Sequence, residues 1–337
     1  MIMSALHTIT APNVKRIAHT LAAVSVGLLA SLAATAALAQ AYPAKPIKLI
    51  NNFPPGGPSD FLARTVGEYI TASSKQPVIT DNRAGAGGNL GAGEVSRAAP
   101  DGYTLLMASP PLTINPALYK KLPYEPRNIA PIGLLGRVPN VLVVSAASGI
   151  QSVAELTARA KARPGELNYA SNGNGTSLHL SAELYKNQAG VFVTHIPYRG
   201  AAAGLTAVIA GEVSFMFDNL PSALGLIQSG RLRALAVTTA QRSSVLPQVP
   251  TMEEAGVKGY QVSAWFGLAA PAGLPAPVQQ KLEQALERVA AVEEVKAAML
   301  KAGAEPVWLG AQAMVSFMQA DAAQWKKVAD FAKISLD

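Results

Sequence analysis

Three times in this chain a short apolar run leads straight into a glycine-rich turn and then into apolar residues at helical spacing. The first instance is Ile47-Lys48-Leu49-Ile50, then Asn52-Phe53-Pro54-Pro55-Gly56-Gly57-Pro58-Ser59-Asp60, then Phe61, Leu62, Val66, Tyr69 and Ile70. The second runs from a strand at 77–82 into the glycine-dense stretch 83–93 and a helix carrying Ala92, Val95 and Ala99. The third places strand 167–170 before Ser171-Asn172-Gly173-Asn174-Gly175-Thr176-Ser177, with a helix continuing through Tyr185. Strands alternating with helices imply parallel or mixed sheets covered on both faces. Ligands of such sheets sit outside the carboxyl ends of the strands, where all three turns lie. Two α/β lobes with facing turns would enclose a cleft.

The turns themselves have the chemistry of an anion cradle. Gly56 and Gly57 lack a Cβ, so the backbone can take positive φ and a ligand can come close. Behind them a helix starts near Ser59 or Asp60 and aims unpaired N–H groups, with partial positive charge, at whatever lies above. Thr176 or Ser177 caps the helix of the third turn, leaving hydroxyls and amides facing outward. The second turn is similar to a dinucleotide fingerprint but fails it, because the sixth position from Gly85 is Leu90 and from Gly91 is Ser96. It reads instead as a further backbone-lined loop on the same sheet edge, with Gly87, Gly88 and Asn89 as candidates. Asp60 and Asp218 both fall at strand-end turns; Asp60 is expected to serve its helix N-terminus, and Asp218 to anchor a loop or face ligand.

Elsewhere the pattern predicts a strand at 104–108, an irregular Pro-rich segment over 109–131, and two separate apolar runs at 132–135 and 141–144. Ser152-Val153-Ala154-Glu155 is a capping box that opens a helix ending before Pro164-Gly165. Strands follow at 191–196, 213–217, 232–238 and 262–268, with an Ala-rich helix after Tyr198-Arg199-Gly200. Helices are expected over 275–291, 292–302 and 311–332.

The N-terminus reads differently from the rest. Lys15 and Arg16 precede an uncharged Ala/Leu run over 21–38, and Ala37-Leu38-Ala39 supplies small residues at a cleavage position. Residues 1–39 are therefore expected to be a secretory signal peptide, removed after Ala39 or Ala41, with the mature chain in the periplasm. Removal of those two bases lowers the formal net charge from +7 to +5. That excess would steer a small anion, but no Lys/Arg cluster or aromatic platform points to nucleic acid.

Several chemistries lack their residues. There is no cysteine, hence no disulfide, thiolate site or thiol nucleophile. Beyond residue 39 the only histidines are His179 and His195, too far apart for a zinc motif, so no metal and no cofactor are expected. A secreted α/β hydrolase is the enzymatic alternative; it would need G-x-S-x-G at a strand-to-helix elbow. Gly175-Thr176-Ser177-Leu178-His179 comes nearest and lacks the second glycine, and a triad of Ser177, His179 and Asp218 is the weaker reading of these residues.

The motifs also form an ordered set: Tyr42-Pro43-Ala44-Lys45-Pro46-Ile47, Phe53-Pro54-Pro55-Gly56-Gly57 with Asp60, Asn82-Arg83 with Gly85-Ala86-Gly87-Gly88, and Pro100-Asp101-Gly102-Tyr103-Thr104-Leu105. Tyr169-Ala170-Ser171 through His179-Leu180, Pro197-Tyr198-Arg199-Gly200, Phe217-Asp218-Asn219-Leu220-Pro221-Ser222 and Trp265-Phe266-Gly267-Leu268 complete it. As a set this resembles the Bug family, the extracytoplasmic solute-binding proteins of tripartite tricarboxylate transporters. The resemblance implies a two-lobed, type II periplasmic-binding-protein fold, with one lobe from 42–140 plus 265–337, the other from 141–264, and a hinge near residues 140 and 263. It implies a monomeric, non-catalytic receptor that holds a small carboxylate on backbone amides and delivers it to inner-membrane transporter subunits; a receptor reporting to a sensor is the alternative within the same chemistry. The ligand-binding set it implies is Phe53, Pro55, Gly56, Gly57, Ser59, Asp60, Gly87, Gly88, Asn89, Asn172, Gly175, Thr176, Ser177, Tyr198 and Asp218. One departure stands out: Asn51-Asn52 replaces the usual apolar residue and proline before Phe53, either adding a ligand contact or altering the loop.

Overall fold

The computed structural model of the chain describes residues 42–336, so the expected signal peptide lies outside the described residues. Every element described below belongs to the compact unit that begins at Lys45. Helices and strands alternate as the periodicity predicts, in a mixed α/β arrangement.

The first three strands are β1 (Ile47–Asn51), β2 (Val78–Asn82) and β3 (Thr104–Ala108), parallel in the order β2-β1-β3. Between them run α1 (Pro58–Ser74) and α2 (Asn89–Ser96). Ile47, Leu49, Ile50, Leu105 and Leu106 are wholly buried, as expected of strands covered on both faces. The Pro-rich segment expected to be irregular contains a helix, α3 (Pro111–Leu118). Its N-cap and first residue are Pro110 and Pro111, where a missing N–H costs nothing. Thr113 Oγ1 donates to Asp321 Oδ2 at 2.6 Å, and the Trp265 indole donates to the same oxygen at 2.8 Å, which pins the helix from behind.

The two apolar runs expected at 132–135 and 141–144 are one strand, β4 (Ile129–Ser145). Prolines and glycines inside it led the sequence pattern to break it. The structure places Pro131 at a register shift and Pro139 at the end of one ladder, where a missing donor is tolerated. Its first part pairs antiparallel with β9 (Ser263–Pro271) and β10 (Glu305–Gly310); from Asn140 on it pairs with β7 (Phe215–Asn219) and β8 (Leu232–Val237). On the far side β5 (Asn168–Ser171) lies parallel to both β7 and β6 (Thr194–Pro197). The strand β10 had no counterpart in the sequence reading.

The remaining helices are α4 (Val153–Ala162), α5 (Ser177–Ala189), α6 (Ala201–Ala210), α7 (Leu220–Gln228), α8 (Ala276–Ala291), α9 (Glu293–Lys301) and α10 (Ala311–Ala332). At α4 Ser152 Oγ accepts from the Glu155 amide at 3.2 Å, while the Glu155 carboxylate accepts from Gln151 N–H at 2.6 Å rather than from Ser152. Around β5 and β7 the core is aromatic: Tyr169 stacks with Phe215, and Phe217 stacks with Tyr260 at 5.9 Å. Each large side chain buried here contributes roughly 1.5–3 kcal/mol.

Asp321→Ala leaves the buried Trp265 indole without its acceptor and the Thr113 hydroxyl with Pro110 O alone. We expect a stability loss of about 1–3 kcal/mol in chemical denaturation; an unchanged midpoint would mean that α3 is held by packing alone.

Candidate functional site

At the carboxyl ends of β1, β3, β5, β6 and β7 five turns open into one cavity of about 300 Å³. Each turn feeds a helix, so the starts of α1, α3, α5, α6 and α7 all lie on its wall, at Pro58, Pro111, Ser177, Ala201 and next to Asn219. The α1 and α3 ends come from the β1–β3 side and the other three from the β5–β7 side. Helix starts carry unsatisfied N–H groups and a partial positive charge, so their convergence favours an anion.

Of the candidates read from the sequence, Phe53, Pro55, Gly56, Gly57, Ser59, Asn172, Thr176 and Ser177 line the cavity. Gly56 has φ +89°, the left-handed region. Gly57 has φ −90° and ψ 174°, an extended conformation open to any residue, so the conformational demand expected of both glycines falls on Gly56 alone. Thr176 Oγ1 accepts from the His179 amide and donates to Gly173 O, which engages its hydroxyl within the loop. The Asn172 side-chain oxygen is buried without a partner.

Asp60 sits behind the loop rather than on the wall. Its carboxylate accepts from Gly56 N–H at 3.1 Å, Asn82 Nδ2 at 3.0 Å, and Arg64 Nε and Nη2 at 3.0 and 3.1 Å. Burial opposes its ionisation, but the bonds from Arg64, Asn82 and Gly56 outweigh that and hold the carboxyl below its ordinary range. Asn51 and Asn52 are buried and lie off the cavity wall; Asn51 and Asn82 both donate to Phe53 O, and Asn52 Oδ1 accepts from Ser109. The loop is altered at this departure by being tied from beneath.

Gly87, Gly88, Asn89 and Gly175 lie behind the wall, where the two sides of the cleft touch. Asn115 Nδ2 donates to Gly87 O and to Asn89 Oδ1, and a Cβ on Gly87 or Gly175 would collide with Asn174 O or Asn115 Oδ1 respectively. Tyr198 adjoins the wall without lining it, its N–H bonded to Ser171 O at 2.9 Å.

Asp218 is fully buried in β7, and neither carboxylate oxygen makes a hydrogen bond of ordinary geometry. Burial pushes its carboxyl up to about 8, against a smaller opposing effect of the Asn219 amide. His179 stacks on His195 at 4.2 Å, Tyr169 stacks on His195 at 4.7 Å, and His195 Nε2 bonds Ser171 Oγ at 2.7 Å. Burial holds both imidazoles well below their ordinary range. The nearest partner of His179 Nδ1 is the Gly175 amide at 3.4 Å; among the described residues no bond joins Ser177, His179 and Asp218.

Sequence reasoning missed the other wall residues: Pro110 and Pro111, Arg199 to Ala202, Leu205 and Thr206, Asn219, Ser222 and Leu226, and Ala264 with Phe266. A signal existed for two groups. Gly200 before an alanine run, and Asn219 followed by Leu220-Pro221, are both helix-start patterns. Arg199 is the only charged side chain on the wall among the described residues; Arg83, at the head of the second glycine-rich turn, pairs with Asp81 at 2.9 Å off the cavity.

A two-sided α/β sheet whose facing turns close over an anion-favouring cavity defines a solute receptor. Residues 62–334 match the family model described as the tripartite tricarboxylate transporter family receptor. Protein BugT of Bordetella pertussis is 38% identical over 291 residues, covering 84% of this chain and 88% of that one. Among solved structures, R. palustris Rpa4515 with adipate aligns with a TM-score of 0.84 at 35% identity, over 87% of this chain and 99% of that one. MatC (Rpa3494) from Rhodopseudomonas palustris, with bound malate, aligns with a TM-score of 0.80 at 30% identity, over 85% of this chain and 99% of that one. The chain belongs to the tripartite tricarboxylate transporter receptor family, the Bug proteins, and has their two-lobed fold.

Asp218 supplies a pH test. Because its folded-state pKa is raised, the native state binds the proton more tightly than the unfolded chain does. Its favourable contribution is therefore full below about pH 4 and lost as pH rises toward about 8. Asp218→Asn, which cannot ionise, should raise the melting temperature near neutral pH and lose that advantage under acid; equal shifts at both would show that Asp218 is not protonated in the fold.

Proposed function

We propose that the chain is a periplasmic solute receptor that captures a small carboxylate between its lobes and hands it to a tripartite tricarboxylate-type membrane transporter. The observation that carries this reading is one cavity enclosed by turns from both sides of the sheet, with the donor-bearing starts of α5 and α6 and a single base, Arg199, on its wall. Relatives bound to adipate and malate support the carboxylate class.

In this reading lobe 1 comprises residues 42–140 plus 265–337 and lobe 2 residues 141–264, with β4 crossing between them. The carboxylate exchanges its hydration for backbone N–H groups at the helix starts, directly or through water. No step of bond making follows; the receptor binds, closes and releases. The ligand set comprises the wall residues named above, with Asp60, Gly87, Gly88, Asn89, Gly175, Tyr198 and Asp218 shaping the turns behind them. The N-terminal 39 residues act as the exported leader, and mass spectrometry of secreted protein should find Gln40 or Tyr42 at the mature terminus; material that retains residues 1–39 would oppose export by cleavage.

Gly57 borders both this cavity and a neighbouring one of about 210 Å³, and a Cβ there meets no atom within 4 Å. Gly57→Val should therefore fold normally and occupy ligand space, lowering affinity more than about tenfold, whereas Arg83→Ala should change it less than about tenfold, or 1.4 kcal/mol. Calorimetry with a bound acid decides between them. Intact binding in Gly57→Val with lost binding in Arg83→Ala would assign recognition to a side-chain ion pair instead.

A further inference from the structure

The α3 helix points its start at the cavity yet offers no donor there. Pro110 and Pro111 have no N–H, and the next three amides are already bonded: Leu112 to Ser109 O at 3.0 Å, Thr113 and Ile114 to Pro110 O at 2.9 Å. What this helix shows the cavity is two pyrrolidine rings, both buried and both on the wall. Phe266 of β9 lines the cavity from the same lobe, Ala264 lies beside it at the end of lobe 2, and neither adds a polar side chain. Two further helix starts each lose one donor, Pro58 in the first turn of α1 and Pro221 in that of α7, though α1 keeps the Ser59 N–H.

Donors concentrate elsewhere. The α5 and α6 helices begin with Ser177 and Ala201 and have no proline in their first turns; at α5 Thr176 Oγ1 takes the His179 N–H, and the Ser177 and Leu178 N–H groups, like those at the start of α6, lack intrahelical partners. Arg199 stands immediately before α6, on the same wall. The cavity therefore has one donor-rich end, on lobe 2, and a donor-poor proline and phenylalanine wall on lobe 1.

We propose that this receptor selects monocarboxylates with an apolar body, aromatic or medium-chain, over polyanionic hydroxy acids; the proposal rests on the carboxylate-receptor reading above. One carboxylate docks at the α5 and α6 starts beside Arg199. The body lies against Pro110, Pro111 and Phe266. A second or third carboxylate, or a hydroxyl, placed on that wall would give up its water with no group to replace it. An apolar body gains there from leaving water. A volume of about 300 Å³ is at the small end of ligand pockets and suits a single ring or short chain.

The test is calorimetry on the mature chain, freed of endogenous ligand, with benzoate, hexanoate, malate and citrate. Benzoate or hexanoate should bind at least about tenfold more tightly than malate and citrate. Pro111→Ala removes a ring and restores an N–H at the head of α3; it should cut that preference by about threefold or more, with the unliganded melting temperature little changed. Tighter binding of malate or citrate by the wild-type chain would overturn the proposal while leaving the carboxylate reading intact. So would a preference unchanged by Pro111→Ala. Binding of benzamide or hexanamide in place of all four acids would instead overturn the carboxylate reading itself.

Discussion

Everything about the cleft depends on β4 being continuous. One strand of 17 residues gives its first part to the ladder with β9 and β10 and its remainder to the ladder with β7 and β8. On one side β1, β2 and β3 run parallel, and on the other β5, β6 and β7 do, so each group presents its βα turns at one edge. Because both sets are hung on the same strand, the two edges face each other instead of lying on unrelated domains. The crossing also puts the change of partners at Pro139 and Asn140, and Asn140 is itself tied on both faces: its N–H bonds Thr238 Oγ1 at 3.0 Å and its side chain bonds Ser181 and Asn219. A buried amide held so completely specifies the geometry of the crossing, since any shift would leave polar atoms unpaired.

The wall of the cleft is built on exposed turns, and main chain cannot hold a turn in place by itself. Buried polar side chains behind the wall do so. Asp60 holds the Gly56 amide while Asn51 and Asn82 hold the Phe53 carbonyl; Thr176 closes the 173–176 turn. Asp60, Asn51 and Asn82 lie off the cavity wall and act through the position of the backbone, while Thr176 does so from the wall itself. The cluster of Tyr169, His179 and His195 rings beneath the α5 start plays the corresponding part on lobe 2, with the imidazoles kept neutral by burial. Preorganised amides of this kind need little reordering when an anion arrives, which favours affinity from a small contact area.

Contact between the lobes falls on glycine at several places. Gly87 meets Asn174, Gly175 meets Asn115, Gly200 meets Pro54, and Gly303 meets Leu220 and Val245. At each a Cβ would stand closer to its neighbour than ordinary packing allows. Gly87, Gly175, Gly200 and Gly303 also carry positive φ, so both backbone conformation and space exclude other residues there. Within the glycine-dense 85–93 stretch Gly87 thus serves the approach of the lobes from behind the ligand wall, while Gly88 and Gly91 leave room for Asn52.

Much of the architecture was legible in the chain because local periodicity and punctuation carry it. The α/β alternation, the start of α10 at Ala311 and its end near Ala332, the Ser152 cap of α4 and the first and third glycine-rich turns all follow from spacings within a few residues. Those same turns placed Phe53, Gly56, Gly57, Ser59, Asn172, Thr176 and Ser177 at the cleft. Three things had to wait for the tertiary structure. The continuity of β4 was hidden because Pro131 and Pro139 are strand breakers locally and are accommodated only by a bulge and a ladder end. The helical state of α3 was hidden by its prolines: Pro110 and Pro111 are acceptable because they fall at the helix start, and Pro116 stands inside the helix. The far wall, with Arg199, Leu205, Asn219, Ser222 and Phe266, comes from segments distant in sequence from the turns they face. A residue's neighbours along the chain determine its secondary structure; which turns share one cavity, and which of them offer a donor, is decided only when β4 brings the two halves of the sheet edge to edge.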